Sequence, residues 1–183
     1  MREAHRRLTG VPAEVRRDPS QRPAEAGRHE VGRVTKVRIT LGSVEAFAEL
    51  DEEGAPQTTR WLKGILPIER QAVHSMENGR EVYVVLDDSQ QVVDENQTIY
   101  QTVGDLFVYY KPAIFVKPEW PRHIRDFLVI GFVYERDSAI RGLSGPLATN
   151  LVGRITEGLD ALAHEAPRMR REGFGRMSLS LAS

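Results

Sequence analysis

Alternating apolar and polar positions predict the first folded elements of this chain. Residues 34–41 and 44–50 alternate between apolar and polar side chains, which is the period-two pattern of half-buried strands. Gly42-Ser43 separates the two runs, and a glycine at the first central position suits a two-residue type II′ turn. We therefore predict that the folded part of the chain opens with an antiparallel hairpin.

A second hairpin is predicted around Asn78-Gly79, because both central residues of a type I′ turn need a positive φ, which Asn and Gly tolerate best. A two-residue loop would pair His74 with Tyr83 and Met76 with Glu81 across the strands. The apolar face of this hairpin would carry Val73, Val82, Val84 and Leu86, with Val73 opposite Val84. The other face is predicted to contact a ligand.

The remaining patterns predict further short strands and two helices. The strands are expected at 105–110, 113–116, 127–134 and 151–155. The run at 127–134 is almost wholly apolar, which is typical of a strand buried on both faces, and Gly131 within it indicates a bulge or a close approach. One amphipathic helix begins at Pro56 and ends before Pro67, and the other covers 156–166. About seven or eight antiparallel strands in total predict a mainly β sandwich or closed barrel.

The chain divides into three parts. Residues 1–32 mix basic and acidic side chains with almost no aliphatic clustering, so we expect a polar, flexible segment. Residues 33–172 hold the periodic runs and form the predicted domain. Residues 173–183 are small and polar, and this C-terminal tail is predicted to fray.

Composition limits the classes of partner. The 183 residues include 25 basic and 26 acidic side chains, and this balance does not indicate a nucleic-acid partner. Cysteine is absent, which fits a reducing compartment and excludes thiol chemistry. No apolar run approaches the roughly 18 residues of a membrane helix, and the N-terminus lacks the apolar core of a secretory signal. We expect a cytoplasmic protein with neither nucleic acid nor membrane as partner.

The acidic connection at 87–104 invites comparison with calcium sites. The spacing of its acids (Asp87, Asp88, Asp94 and Glu95) matches no calcium-binding loop, and the histidines lie at no metal-ligand spacing. We therefore expect no metal and no cofactor. The length of the connection makes it a candidate lid or binding edge.

The order of these elements resembles the cyclophilin barrel. RITLGSVEAFAELDEEGAPQTTRWLKGIL resembles the cyclophilin opening, and GRITEGLDALAHEA resembles its closing strand and helix. A closer resemblance is to a bacterial family of cyclophilin-like proteins of unknown function. The shared features appear in this sequence as AP-x-T, LPIE, AVH…GREVY, ENQTIY, GDLFVYY and SGPLATN. The resemblance covers about residues 34–172 and implies a closed, cyclophilin-like antiparallel β-barrel with two helices.

One departure separates this chain from true cyclophilins. Their catalytic arginine lies just after a Phe-His pair, and a Phe-x-x-Gln-Gly-Gly-Asp-Phe run follows it. Here Val73-His74 is followed by Ser75, and residues 79–89 contain nothing like the glutamine run. The resemblance therefore implies the fold without implying prolyl isomerase activity.

The candidate site surrounds the second hairpin. His74 is the candidate catalytic residue, because a neutral imidazole beside a phenol and a carboxylate can act as a general base. The candidate ligand-binding residues on or near the outer face, where cyclophilins have their groove, are Tyr83, Glu81, Met76, Arg80, Tyr100, Tyr109, Glu135 and Asn150. The alternatives are an exposed His74–Tyr83 pair, tyrosines that only pack, and an Asn150 that holds its turn.

Three functions remain open at this point. The leading hypothesis is a protein that binds a small molecule or a short peptide in a groove on the outer face of the barrel. The second is a small-molecule isomerase or hydrolase with His74 as general base. The third is a structural subunit of a homo-oligomer.

Overall fold

The strands of the computed structural model close into an antiparallel barrel, and this confirms the predicted mainly β fold; the described residues include two helices. The structure describes residues 34–76, 78–86, 92–111, 127–142, 145–173 and 175–182. The predicted flexible segment 1–32 and the predicted strand 113–116 lie outside the described residues. Within the described ranges, no helix has the length and apolarity needed to cross a membrane.

Eight strands form the barrel wall. In chain order the elements are β1 (Lys36–Leu41), β2 (Val44–Leu50), α1 (Pro56–Ile65), β3 (Ile68–His74), β4 (Glu81–Leu86), β5 (Gln97–Thr98), β6 (Asp105–Lys111), β7 (Phe127–Val133), β8 (Arg141–Gly142), β9 (Gly145–Pro146), β10 (Thr149–Glu157), α2 (Leu159–Glu172) and β11 (Arg176–Leu181). The barrel order is β2-β1-β11-β3-β4-β7-β6-β10, and pairing of β10 with β2 closes it. β5 pairs with β10, and β8 and β9 form a separate small hairpin.

The predicted first hairpin is confirmed. Leu41 pairs with Val44, so Gly42-Ser43 is the two-residue turn, and Gly42 has a φ of 59°. Val37 and Ile39 on β1 are fully buried, as the period-two pattern requires.

The C-terminal residues form a barrel strand, so the predicted fraying after Gly173 is wrong. β11 lies between β1 and β3 and pairs with both. Met177 and Leu179 point into the core and are fully buried, whereas Ser178 and Ser180 alternate with them on the outer face. Small polar side chains at outward positions make a short strand look like a tail, although its inward positions complete the barrel.

Both helices cover the core with one apolar stripe. α1 begins at Pro56, whose fixed φ suits the first helical position, and it ends before Pro67. Leu62 of α1, together with Leu162 and Ala166 of α2, is fully buried in the main cluster. These stripes confirm the helical periodicity predicted from the sequence, although α2 continues to Glu172.

The strands β4, β6 and β7 are apolar on both faces. Their inner positions join the main core, and their outer positions belong to a second buried cluster built on Phe107, Val129, Val133 and Ile140. Leu147 packs on the same cluster, so Ile140 and Leu147 contribute side chains outside the barrel wall; the described residues around them, 138–142 and 145–147, are termed here the 138–147 segment. Residues 128–134 are all buried, which confirms over this range the prediction of a strand buried on both faces.

Gly131 permits the close packing of this outer cluster. It pairs with Tyr83 of β4 and with Phe107 of β6. A Cβ atom at Gly131 would lie 2.7 Å from Phe107 Cζ and 2.8 Å from Tyr83 Cβ, distances too short for a real side chain. The predicted close approach is confirmed, and it brings two aromatic residues together over one glycine.

Candidate functional site

The connection between β3 and β4 is longer than the sequence predicted. The observed pairs are Ala72–Val84, Val73–Tyr83 and His74–Val82. Ser75 N donates to Glu81 O at 3.1 Å, and the described residues between them, 76 and 78–80, belong to no strand; they are termed here the 76–80 loop. The predicted two-residue turn and the predicted pairs His74–Tyr83, Val73–Val84 and Met76–Glu81 are therefore wrong by one residue.

The Asn78-Gly79 dipeptide serves tertiary packing instead of a tight turn. Ala139 N donates to Asn78 O at 2.7 Å, and Arg80 N donates to Ser138 Oγ at 2.8 Å. Gly79 has a φ of 107°, and a Cβ atom there would lie 2.5 Å from Asp137 O. The loop is thus shaped by its contact with a distant part of the chain, which local turn chemistry cannot reveal.

The one-residue shift separates the side chains that were predicted to share a face. His74 is on the inner face with Val82, whereas Glu81 and Tyr83 are on the outer face. Met76 is 70% exposed in the 76–80 loop. No single surface carries all four predicted residues.

His74 is a buried histidine whose two ring nitrogens are both paired. Nδ1 lies 2.6 Å from Ser75 O, and Nε2 lies 2.7 Å from Tyr134 Oη. Because a carbonyl oxygen only accepts, Nδ1 carries the proton and the Tyr134 hydroxyl donates to Nε2. Burial lowers the pKa of His74, and the charges of Arg170 and Arg80 lower it further. A catalytic role for His74 stays a prediction that this arrangement does not favour.

Two other candidates form an ion pair beside this cluster. Arg80 Nε lies 3.5 Å from Glu135 Oε2, and both side chains are about half exposed. Burial raises the pKa of Tyr134, and Arg80 acts on it in the opposite direction. Exposed pairs of this kind contribute little to stability.

Tyr100 and Asn150 differ in exposure and in their contacts. Tyr100 is 79% exposed. Asn150 is buried, and its Nδ2 donates to Thr58 Oγ1 at 3.0 Å and to Val93 O at 2.6 Å. Asn150 therefore ties α1 and the chain after residue 92 to β10, which matches the alternative of a structural asparagine.

A cavity of about 180 Å³ opens on the outer face of β4, β6 and β7. It is termed here the outer cavity and is lined by Asn78, Glu81, Tyr83, Phe107, Tyr109, Val129, Ile140, Arg141 and Leu147. Glu81, Tyr83 and Tyr109 were predicted as ligand-binding residues, and the structure brings these three together. The contribution of the 138–147 segment was missed, because its sequence shows only turn chemistry.

Glu81 contributes a buried carboxyl group to the lining of the outer cavity. The residue is only 1% exposed, and its Oε1 accepts a hydrogen bond from Asn78 Nδ2 at 3.0 Å. Oε2 is buried and has no hydrogen-bond partner among the residues that the structure describes. Burial raises the pKa of Glu81, while hydrogen bonds from Asn78 and Ser75 act to lower it. Buried carboxyl oxygens are normally paired, so Oε2 is a candidate contact for a ligand.

Asn78 connects Glu81 to the 138–147 segment. Its Nδ2 donates to Glu81, and its Oδ1 accepts from Arg141 N at 3.1 Å. One side chain therefore orients the carboxyl group and holds the strand that lines the opposite side of the cavity. Local chemistry predicts a turn role for this asparagine, and no local signal points to the bridging role.

The walls of the outer cavity are aromatic and aliphatic. Tyr109 is half-buried, and burial raises the pKa of its hydroxyl. Tyr83 and Phe107 pack over Gly131, and Val129, Ile140 and Leu147 complete the apolar surface. Mainly apolar walls with a few oriented polar groups, here Glu81 and Asn78, are the usual composition of a small-molecule site.

A second depression, of about 450 Å³, lies between β3 and β11. Its lining is Glu69, Arg70, Gln71, Gly175 and Arg176, and its charged side chains are exposed, with Glu69 paired to Arg176. It has no buried polar group that would orient a ligand. Across the described ranges, no cluster of three or more His, Asp or Glu side chains could hold a metal ion.

Comparison with known proteins gives one family match and two similar structures described below. A family model described as a protein of unknown function (DUF3830) matches residues 37–181. No curated protein matches the sequence. The structure of McbB in complex with tryptophan is similar, with a TM-score of 0.57 and 15% identity, over 79% of this chain and 44% of McbB. This chain therefore spans less than half the length of McbB.

A second similar structure matches this chain over nearly the whole length of the other protein. The solution structure of the hypothetical protein AF2241 from Archaeoglobus fulgidus has a TM-score of 0.50 and 24% identity, over 84% of this chain and 99% of AF2241. At these identities the likeness concerns the fold alone. The closed antiparallel barrel that the sequence resemblance implied is confirmed.

Proposed function

The chain belongs to the DUF3830 family of proteins of unknown function, and from this premise we propose that it binds a small organic molecule or a short peptide in the outer cavity. The observation that carries the proposal is the buried Glu81 carboxyl group, which has one oxygen oriented by Asn78 and the other without a partner in the described chain. A ligand that donates a hydrogen bond to Oε2 would remove the cost of that unpaired oxygen.

The size of the outer cavity limits the ligand. Sites for drug-sized molecules measure about 300–1,000 Å³, whereas the outer cavity measures about 180 Å³. The proposed ligand is therefore a molecule of few heavy atoms, or one side chain of a bound peptide. Its apolar part would contact Phe107 and Tyr109, and its polar part would face Glu81.

The alternative is an isomerase or hydrolase with His74 as general base. His74 does not line the outer cavity, and both of its nitrogens are already paired. Ser75 also stands where the resemblance to cyclophilins would require the catalytic arginine. These observations support binding over catalysis, and a proline cis/trans assay with turnover above background would reverse that preference.

Bacterial origin, a cytoplasmic location and a homo-oligomeric state also belong to the proposal. The sequence motifs support the first, and the absence of cysteine supports the second. Sedimentation over a range of protein concentrations would test the third.

A fragment screen read by two-dimensional NMR tests the binding proposal. We expect fragments to shift the backbone signals of Asn78, Tyr83 and Tyr109 together. Leu147→Trp should fill the outer cavity and abolish these shifts, because the larger ring occupies the space of the ligand. Ile99→Trp is the matched control, because Ile99 is 41% exposed and does not line the outer cavity. The proposal fails if fragments shift the same signals equally in the Leu147→Trp variant.

A further inference from the structure

We propose that the ligand of the outer cavity is a small organic ammonium ion, whose N–H group donates to Glu81 Oε2 and whose apolar body lies against Tyr83, Phe107 and Tyr109. This inference rests on the proposed function and names the chemical class of ligand for the same cavity.

The first argument is the state of the Glu81 carboxyl group. Asn78 Nδ2 donates to Oε1, so this oxygen is fixed as an acceptor. Oε2 is buried beside it and, among the described residues, receives no hydrogen bond. A carboxylate in an apolar environment is strongly stabilised by a cation that also donates a hydrogen bond. An ammonium group supplies both the charge and the donor.

The second argument is that no basic side chain of the described chain pairs with Glu81. Arg80 is paired with Glu135. Arg141 lines the outer cavity, but its side chain is exposed and it forms no ion pair with Glu81 among those of the described residues. Within the described chain, Glu81 therefore has no basic partner, and an ammonium ligand would supply one.

The third argument is the nature of the walls. Phe107 and Val129 are buried, and Tyr83 and Tyr109 are partly buried around the same space. Aromatic faces attract organic cations through their quadrupole, and they exclude the water that would weaken a carboxylate–ammonium contact. An inorganic cation would gain little here, because a single carboxyl group gives it too few oxygen ligands.

Three probes that share an aromatic ring and differ in their polar group test which polar group the outer cavity prefers. Benzylammonium, benzyl alcohol and benzoate differ in charge while they keep the same ring, and each is titrated into the full chain and followed by NMR. Benzylammonium is expected to bind at least about tenfold more tightly than benzyl alcohol, since a hydrogen bond to a charged group is stronger than a neutral one. Benzoate is expected to show no saturable shifts at the outer cavity.

The Glu81→Gln variant tests whether the Glu81 carboxylate causes the preference for benzylammonium over benzyl alcohol. It keeps the shape of the side chain and an oxygen for Asn78, so we expect the benzylammonium affinity to fall at least about tenfold and the benzyl alcohol affinity to change less than about threefold. Glu45→Gln is the matched control, because it removes one exposed carboxylate, paired with Arg38, that does not line the outer cavity, and it should change neither affinity.

The outcomes separate this inference from the proposed function. Equal binding of benzylammonium and benzyl alcohol by the unmodified chain would overturn the ammonium preference and leave a binding cavity, and this comparison needs no variant. An unchanged benzylammonium affinity in folded Glu81→Gln would also overturn it. If fragments of every charge fail to shift the signals of the outer cavity, the proposed function falls as well.

Discussion

His74 and Glu81 flank the 76–80 loop, on opposite faces of one barrel wall. Both are buried titratable residues, with exposed fractions of 6% and 1%. The imidazole of His74 has a partner on each nitrogen, whereas the carboxyl group of Glu81 has a partner on one oxygen only within the described chain. Burial alone therefore does not distinguish a structural polar residue from a binding residue. The completeness of its hydrogen bonds does.

The difference has a physical basis. A fully paired polar cluster inside a barrel favours one arrangement of its neighbours and thereby rigidifies the core. A half-paired group lowers the stability of the free protein, and that cost can be recovered only when a ligand completes the pairing. We therefore expect substitutions on the inner face to change stability and substitutions on the outer face to change binding.

The largest expected effect comes from His74→Ala. It removes the acceptor of the Tyr134 hydroxyl and leaves a void at the inner face, so the free energy of unfolding should fall by about 2–4 kcal/mol. Urea unfolding at neutral pH measures this change. Ligand affinity at the outer cavity should stay within about twofold, once the variant is confirmed to be folded, because it keeps every residue that lines the cavity.

Tyr134→Phe is the control for this pair. It keeps the aromatic ring and removes the hydroxyl, which donates to His74 Nε2 and also interacts with Arg80, so a smaller loss of about 1–2 kcal/mol is expected. A His74→Ala variant as stable as the unmodified chain would contradict the structural role and return His74 to the candidates for catalysis.

The second prediction concerns Asn78, which links the two sides of the outer cavity. Asn78→Ala removes the acceptor of Arg141 N and the donor to Glu81, and the free energy of unfolding should fall by about 1–2 kcal/mol. Hydrogen exchange should accelerate at the Arg141 amide and much less at the Ala139 amide, which bonds the backbone of Asn78.

Asn78→Asp refines this result. The aspartate keeps the oxygen that accepts from Arg141 N, so protection of that amide should be retained, although it places a second carboxylate beside Glu81. Equal exchange at Arg141 in the unmodified chain and in Asn78→Ala would show that the side chain does not hold the 138–147 segment.

The fold could be predicted from this sequence to a greater extent than the site. Gly42-Ser43 and Gly131 act through their own backbone and immediate pairing partners, so local chemistry was enough to identify their roles. Asn78-Gly79 looked like a type I′ turn, but its conformation is fixed by contacts with residues about 60 positions away. Register follows from such contacts, and a shift of one residue moved His74 to the inner face.

The outer cavity also depends on residues without a pattern of their own. Ile140 and Leu147 are isolated apolar residues in a segment of turn chemistry, so their convergence on β4, β6 and β7 is a property of the tertiary structure. β11 was missed for the opposite reason, because its serines obscured two inward-facing apolar positions. The chemistry of Glu81 makes it a candidate in the sequence. Its burial, and the pairing of only one of its carboxyl oxygens within the described chain, follow from the tertiary structure.

The third prediction is that Glu81→Gln makes the protein more stable while it weakens ammonium binding. A neutral amide loses less on burial than a carboxylate, and it still offers an oxygen to Asn78, so we expect a gain of about 0.5–2 kcal/mol at pH 7. Thermal and urea unfolding of the ligand-free variant measure it. Glu135→Gln should change stability by less than about 0.5 kcal/mol. A clear loss of stability in Glu81→Gln would mean that the carboxylate has a partner that stabilises its charge.

The smallest expected effect is a difference in pH dependence between the two faces. Burial lowers the folded pKa of His74 below its usual 6.5, so the unfolded chain binds more protons, and stability is lost as the pH falls below about 6.5. Burial raises the folded pKa of Glu81 above its usual 4.5, so the folded chain binds more protons, and stability is lost as the pH rises from about 4.5.

Between pH 4.5 and 6.5, His74 therefore makes the free energy of unfolding rise with pH, whereas Glu81 makes it fall with pH. Unfolding free energies of the unmodified chain and of Glu81→Gln, measured across this range, isolate the outer-face contribution, because every other titratable group is common to both. The stability gained by the variant should increase with pH. A pH-independent difference would mean that Glu81 has the same proton affinity in both states, and the contrast between the two faces would then concern geometry alone.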